Sequence, residues 1–128
     1  MKPITAEWVE KAEEDWVSLL RSYRARKEPS YNVACFHAQQ CAEKYLKARL
    51  VEAGAVFPKT HDLALLLTLV QPIEPGLGIL QPELDTLNKY AIAYRYPGQS
   101  ATKTDAKDAV NDCRMVRQRM RASLGLPV

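Results

Sequence analysis

The sequence predicts an all-α fold: an antiparallel up-and-down four-helix bundle with an additional short helix, built as one domain over residues 1–128. Three observations predict it. Apolar residues recur at three- and four-residue steps along each long segment, the period of a helix buried on one face. Proline, glycine and capping residues interrupt the chain between those segments. No run alternates apolar and polar residues with β-branched enrichment, the mark of a strand.

The first helix opens on Thr5, a good N-cap. Trp8, Val9, Ala12, Trp16, Leu19, Leu20 and Tyr23 fill one arc, while Glu7, Glu10, Glu14 and Ser18 face away. Early acids suit the positive end of the helix dipole, and Arg21, Arg24 and Arg26 suit its tail. Pro29 breaks the chain and Ser30 caps the next segment.

That segment, Asn32 to Val51, is apolar over more than one stripe: Ala34, Cys35, Ala38, Cys41, Ala42, Tyr45, Leu46 and Ala48 cover about half the circumference at ~100° per residue, with Phe36 and Leu50 opposite. A helix of this kind must be packed on more than one side, as the central strut of a bundle. Gly54 supplies the left-handed residue that closes it. Thr60 then caps a short helix carrying Leu63, Leu65, Leu66, Leu67, Leu69 and Val70, more leucine than one core face needs. Pro72, Pro75, Gly76 and Gly78 form an irregular connector. A fourth long helix begins near Pro82, with Leu80, Leu84, Leu87, Ala91 and Tyr94 as its core stripe, and stops at Tyr96-Pro97-Gly98. Thr102 and Asp105 make a capping box for the last helix, which runs to about Leu124.

A formal charge of +3 makes no case for nucleic acid by composition alone. Cys35, Cys41 and Cys113 are odd in number and form no CxxC pair, so buried free thiols in a reducing, cytoplasmic setting are expected rather than disulfides or zinc. The N-terminus lacks the apolar run of a signal peptide, and no stretch approaches a membrane span. A Gly-rich phosphate loop, HExxH, GxSxG and an EF-hand loop are all absent, so no cofactor or metal is called for.

Three polar features carry what chemistry there is. His37, Gln40, Lys44 and Lys47 follow one line along the central helix. They read either as a solvated seam with lysine stems lying over apolar neighbours, or as a groove suited to an anion. On the last helix Lys103, Lys107, Arg114, Arg117 and Arg121 stand on one flank of the core stripe, and Asp105, Asp108 and Asp112 on the other. Five cations over ~27 Å match a phosphate-tracking face, or else an ordinary solvated one. Finally, Arg95 and Tyr96 lie where a helix ends: the planar guanidinium suits phosphate and the ring suits stacking. The alternative is an arginine answering the helix's last carbonyls. His61 and Lys59 flank a cap at a positive helix end.

Three segments together resemble the HEPN family, small prokaryotic helical domains often found beside minimal nucleotidyltransferases. They are YNVACFHAQQCAEKYLKARLVEAG (Tyr31–Gly54), FPKTHDLALLL (Phe57–Leu67) and YAIAYRYPG (Tyr90–Gly98), and the similarity runs from about Ala6 to Arg121. The resemblance implies a helical bundle, commonly a homodimer, for which the leucine-covered short helix offers an interface. It also implies one of two roles. Some members are toxin ribonucleases of toxin–antitoxin modules that use an Arg-x(4–6)-His motif; others bind a nucleotide or substrate for a separate nucleotidyltransferase chain. Arg95 falls in the Arg region, but Tyr-Pro-Gly-Gln-Ser-Ala follows it and no histidine stands anywhere after His61. The usual general acid/base is therefore missing. The expectation is a non-catalytic domain binding a nucleotide or RNA, with Arg95, Tyr96, Lys59, His61, Lys44 and Gln40 around the nucleotide. The alternatives are a metal-independent endoribonuclease with a degenerate site, drawing on Arg95 with His61 or His37, and a dimeric bundle that binds only protein.

Overall fold

A helix apolar on most sides is satisfied only from the middle of a bundle, and α2 (Tyr31–Glu52) takes that place. The computed structural model describes residues 1–128. Around α2 stand α1 (Pro3–Arg24), α3 (Leu63–Val70), α4 (Gln81–Asn88) and α5 (Lys103–Ser123), with no strand. α1 runs antiparallel to α2: its start is tied to the end of α2 by the Lys2 amide and the Thr5 hydroxyl, both donating to Glu52. α5 runs parallel to α2, with Asn32 accepting from the Ala101 amide at one end and Arg49 donating to Ser123 at the other. That is the relation of second and last helices in an up-and-down order. One contiguous core joins all five helices, and Ala34, Cys35, Ala38, Cys41, Ala42, Tyr45, Leu46, Ala48 and Leu50 of α2 are its axis. No helix is long and apolar enough to cross a membrane.

Several local expectations hold. The capping box at the head of α5 is formed, with Thr102 accepting from the Asp105 amide and Asp105 accepting from the Thr102 amide. Gly54 closes α2 with φ +72°. All three cysteines are free and buried. Burial pushes the Cys35 thiol up to about 12, so it is no nucleophile.

Others are corrected. α1 begins three residues early, with Lys2 at the cap position and Pro3 in its first turn, and Thr5 is buried inside it rather than capping it. Asp62, not Thr60, caps α3 by accepting from the Ala64 amide, while Thr60 accepts from Asp62. The fourth long helix is not long. Its α-helical part is only eight residues, preceded by a 3-10 stretch (Pro75–Leu80) and followed by a 3-10 turn (Lys89–Ala91). Leu80, Leu84 and Leu87 keep the expected core stripe, but the 3-10 turn after them returns to the core in three residues and buries Tyr90, leaving Ala91 and Tyr94 half-buried. At the end of α4, Asn88 turns its amide to the head of α3, accepting from the Leu63 amide and donating to Asp62. The leucine surplus of α3 is also largely used within the chain: Leu63, Leu66 and Leu67 are buried, and only Leu65 reaches 37% exposure. The motive for a dimer on that face is correspondingly weaker.

Candidate functional site

α2 carries more buried polarity than its sequence advertised. Gln39, Glu43 and Lys47, at successive four-residue steps, are all buried. A buried charge must be paired, and Lys47 meets Glu43 at 3.0 Å while its ammonium also lies over the Trp8 ring. The other oxygen of Glu43 accepts from Gln39 at 3.2 Å and from the His61 Nδ1 at 2.9 Å. Gln39 also donates to the His61 carbonyl at 3.0 Å, and Gln40 donates to the Gln39 amide oxygen at 2.6 Å. The loop before α3 is thus pinned to α2 at both the backbone and the side chain of His61.

On the outer side of this network lies a cleft of about 180 Å³ lined by Phe36, Gln40, His61, Ala91 and Arg95. Arg95 reaches it because the chain reverses just before it. Tyr94 adopts φ +66°, a left-handed conformation uncommon for a bulky residue. Its ring stacks on Tyr90 and its hydroxyl donates to Asp105, which hold it there. The Arg95 guanidinium then lies 5.7 Å from the Phe36 ring and gives one N–H to the Ala91 carbonyl at 3.3 Å. The carbonyl-answering alternative is thus realised, yet an arginine has five donors and four stay free. His61 is 73% exposed, and its Nε2 has no partner in the chain.

The single polar line expected along α2 divides. Gln40 and Lys47 join the network around Glu43, with Lys47 also over Trp8 of α1, whereas His37 and Lys44 turn to a different acid on α1. Both of the latter engage the buried Asp15, at 2.7 Å and 2.6 Å. Burial pushes the Asp15 carboxyl up, but the hydrogen bonds and charges of His37 and Lys44 outweigh it and hold it below its ordinary value. Lys44 is therefore engaged away from the cleft, and His37 is no partner for His61. Lys59 is exposed and makes no polar contact within the chain. Tyr96 is 72% exposed and does not line the cleft.

The basic flank of α5 also divides. Lys103 and Lys107 project into solvent. Arg114 bonds Asn111 and lies over Trp16. Arg117 grips Glu13 of α1 through two N–H groups, at 2.8 and 2.7 Å, and packs on the same Trp16 ring. Arg121 donates to the Tyr45 hydroxyl and the Pro127 carbonyl, with Glu13 3.6 Å away. The two distal arginines are thus internal counter-ions; sequence spacing could not show their acid, which sits on another helix.

No group of side chains in the chain has the makings of a metal site. The cleft can hold an anion at Arg95 and hydrogen-bond a neighbouring group through Gln40 and His61. The carboxylate-supported imidazole of His61 gives the cleft one group able to donate or accept a proton.

The comparisons with known proteins agree with this architecture. The crystal structure of an archaeal HEPN homologue superposes with a TM-score of 0.71 at 24% identity, covering 96% of this chain and 98% of that one. No curated protein matches the chain. The HEPN domain model matches residues 5–123, nearly the whole sequence, and the chain belongs to the HEPN family.

Proposed function

We propose that this chain is a nucleotide- or RNA-end-binding HEPN domain that does not itself cleave RNA, and that it serves a partner minimal nucleotidyltransferase, as a homodimer. One observation supports the binding reading above the rest. Gln40 from α2, His61 from the loop before α3 and Arg95 from beyond α4 converge on one cleft against Phe36. Beyond their contacts within the chain, Arg95 keeps four N–H groups and His61 its Nε2 unengaged there, and a cation, an imidazole and an amide are what a phosphate with its sugar or base requires. Lys59 and Tyr96, both exposed, are available to the rest of such a ligand. The partner and the dimer rest on the family resemblance.

Titration of ATP and of a short RNA into the protein at low salt tests the reading. Both bind, and Arg95→Ala weakens each by about 5- to 150-fold, or 1–3 kcal/mol for a lost charge-assisted contact. If neither ligand binds wild type, the cleft is no nucleotide site and the protein-binding bundle is the better account.

A second reading, metal-independent endoribonuclease, is favoured by His61 alone, whose ring is supported by Glu43 and open beside Arg95. Incubation with mixed cellular RNA in chelator separates the two. The first reading gives no protein-dependent products; cleavage that disappears in His61→Ala establishes the second.

A further inference from the structure

Resting on the nucleotide reading of the cleft, we propose that Glu43 sets its hydrogen-bond polarity, so that the cleft presents two acceptors beside one cation and selects nucleotides through a donor of their own. The Lys47 ammonium neutralises Glu43 at 3.0 Å and leaves an acceptor-only carboxylate. Gln39 faces two groups that have no hydrogen to give, that carboxylate and the His61 carbonyl. Its amide nitrogen must point at both, so its oxygen points away. That oxygen lies 2.6 Å from the side-chain amide of Gln40, which must meet it with N–H. Gln40 therefore turns its own oxygen outward, and that oxygen has no partner in the chain. Flipping either amide would set oxygen against oxygen at 2.6 to 3.2 Å. The tautomer of His61 follows by the same logic. Nδ1 faces the carboxylate at 2.9 Å and carries the proton, so Nε2 of the neutral ring offers a lone pair.

One buried carboxylate thus determines what two surface groups offer. Gln40 Oε1 and His61 Nε2 are acceptors; Arg95 supplies only donors. An anion without hydrogens to give satisfies Arg95 and leaves the acceptors unanswered. A nucleotide that brings an exocyclic amine or a ribose hydroxyl to them satisfies all three. A cleft of about 180 Å³ holds one ring with its substituents, so either the base or the sugar is the part that enters. Gln39, Glu43 and Lys47 act through Gln40 and His61 and are positioning residues.

Two measurements test this separately from nucleotide binding itself. Imidazole ¹⁵N spectra at about pH 8, above the ordinary imidazole range of about 6.5, report the tautomer directly, with His61→Ala identifying the signals. His61 is expected as the Nδ1–H form, opposite to the preference of free histidine, and Glu43→Gln is expected to lose that form. Finding His61 as Nε2–H in wild type overturns the proposal whether or not Glu43→Gln folds. The second measurement compares AMP, 2′-deoxy-AMP, purine riboside 5′-monophosphate and inorganic phosphate on wild type and on Gln40→Met, a half-buried position. One of the two AMP analogues binds about tenfold more weakly than AMP, inorganic phosphate is weaker still, and Gln40→Met brings the analogue ratio close to one. Loss at the purine analogue identifies the amine; loss at the deoxy analogue identifies the hydroxyl. Equal binding of AMP and both analogues overturns donor selection. If AMP does not bind at all while His61 holds the Nδ1–H form, the nucleotide reading has failed and donor selection with it, whereas the polarity of the network stands.

Discussion

The chain has two histidines, and each gives its Nδ1 to a buried carboxylate, yet the two pairs do opposite things. His37 meets Asp15 of α1 at 2.7 Å, Lys44 closes the other carboxylate oxygen, and the ring is 28% exposed. His61 meets Glu43 at 2.9 Å and is 73% exposed, with Lys47 on the far oxygen. The chemistry is the same: a carboxylate, an imidazole and a lysine. What differs is where the second ring nitrogen can go. In the first pair the group is a clamp between α1 and α2; in the second the carboxylate is buried and the imidazole is left over, beside Arg95. A buried carboxylate therefore marks neither stability nor function by itself. The direction of the ring it holds decides which.

The largest effect that separates the pairs is on stability. Removing one partner of a buried ionic group strands the others and costs about 3–5 kcal/mol when all are fully enclosed. With His37 and Lys44 each about a quarter exposed to water, Asp15→Ala is expected to cost somewhat less, about 2–4 kcal/mol. His61→Ala, at an exposed ring whose contact to Glu43 water can replace while Gln39 and Lys47 still answer that carboxylate, is expected to cost about 1 kcal/mol or less. Urea unfolding of both variants gives the comparison. A His61→Ala cost equal to that of Asp15→Ala would make both pairs structural clamps.

The acid limb of the stability curve sharpens the same contrast. Asp15 is held below its ordinary range despite burial, by His37 and Lys44. Glu13 is likewise lowered: burial pushes it up, and its hydrogen bonds from Arg117 and Tyr45, with the charges of Arg117 and Arg121, overcome that. A carboxyl with a depressed folded-state pKa stabilises fully above its unfolded value of about 4 and loses that contribution as pH falls through the folded value. The contribution of these two carboxyls should thus be constant above about pH 5 and be lost below about pH 4. Asp15→Asn, already without the contribution, should show a shallower fall. An unchanged acid limb in that variant would mean that other carboxyls carry it.

Much of this fold was legible because it is local. The span Asn32 to Val51 was read within one residue at each end of the observed Tyr31–Glu52, and the Thr102–Asp105 box is a three-residue pattern. The misreadings are places where a distant partner decides. Thr5 looks like a cap until Glu52 is seen to accept its hydroxyl, and the polar line of α2 looks continuous until Asp15 draws His37 and Lys44 to α1. In the site, Gln40, His61 and Arg95 stood out as polar residues in apolar or loop settings. Gln39 and Glu43 did not, although a signal existed: with Lys47 they form a four-residue ladder beside Leu46 and Leu50, where a lone charge would be untenable.

The smallest effect expected concerns α5, where the contrast between clamp and open group recurs along a single helix. Arg117 is fastened to Glu13 by two hydrogen bonds and stacked on Trp16, so it is already neutralised. Lys103 and Lys107, near the head of the helix, have only water. A strand that follows this face releases counterions only where a cation is free to meet phosphate. Replacing both lysines by Gln should therefore reduce the slope of log affinity against log salt for a short RNA by about 1–2, while leaving AMP affinity nearly unchanged. Arg117→Ala should behave in the opposite way, lowering stability by about 1–2 kcal/mol through the lost ion pair and ring contact, with little change in that slope. RNA titrations at several salt concentrations, with unfolding curves for the same proteins, make the comparison. If the slope follows Arg117 instead of the lysines, RNA displaces Glu13 when it binds, and what looks like a helix-to-helix clamp is part of the interface.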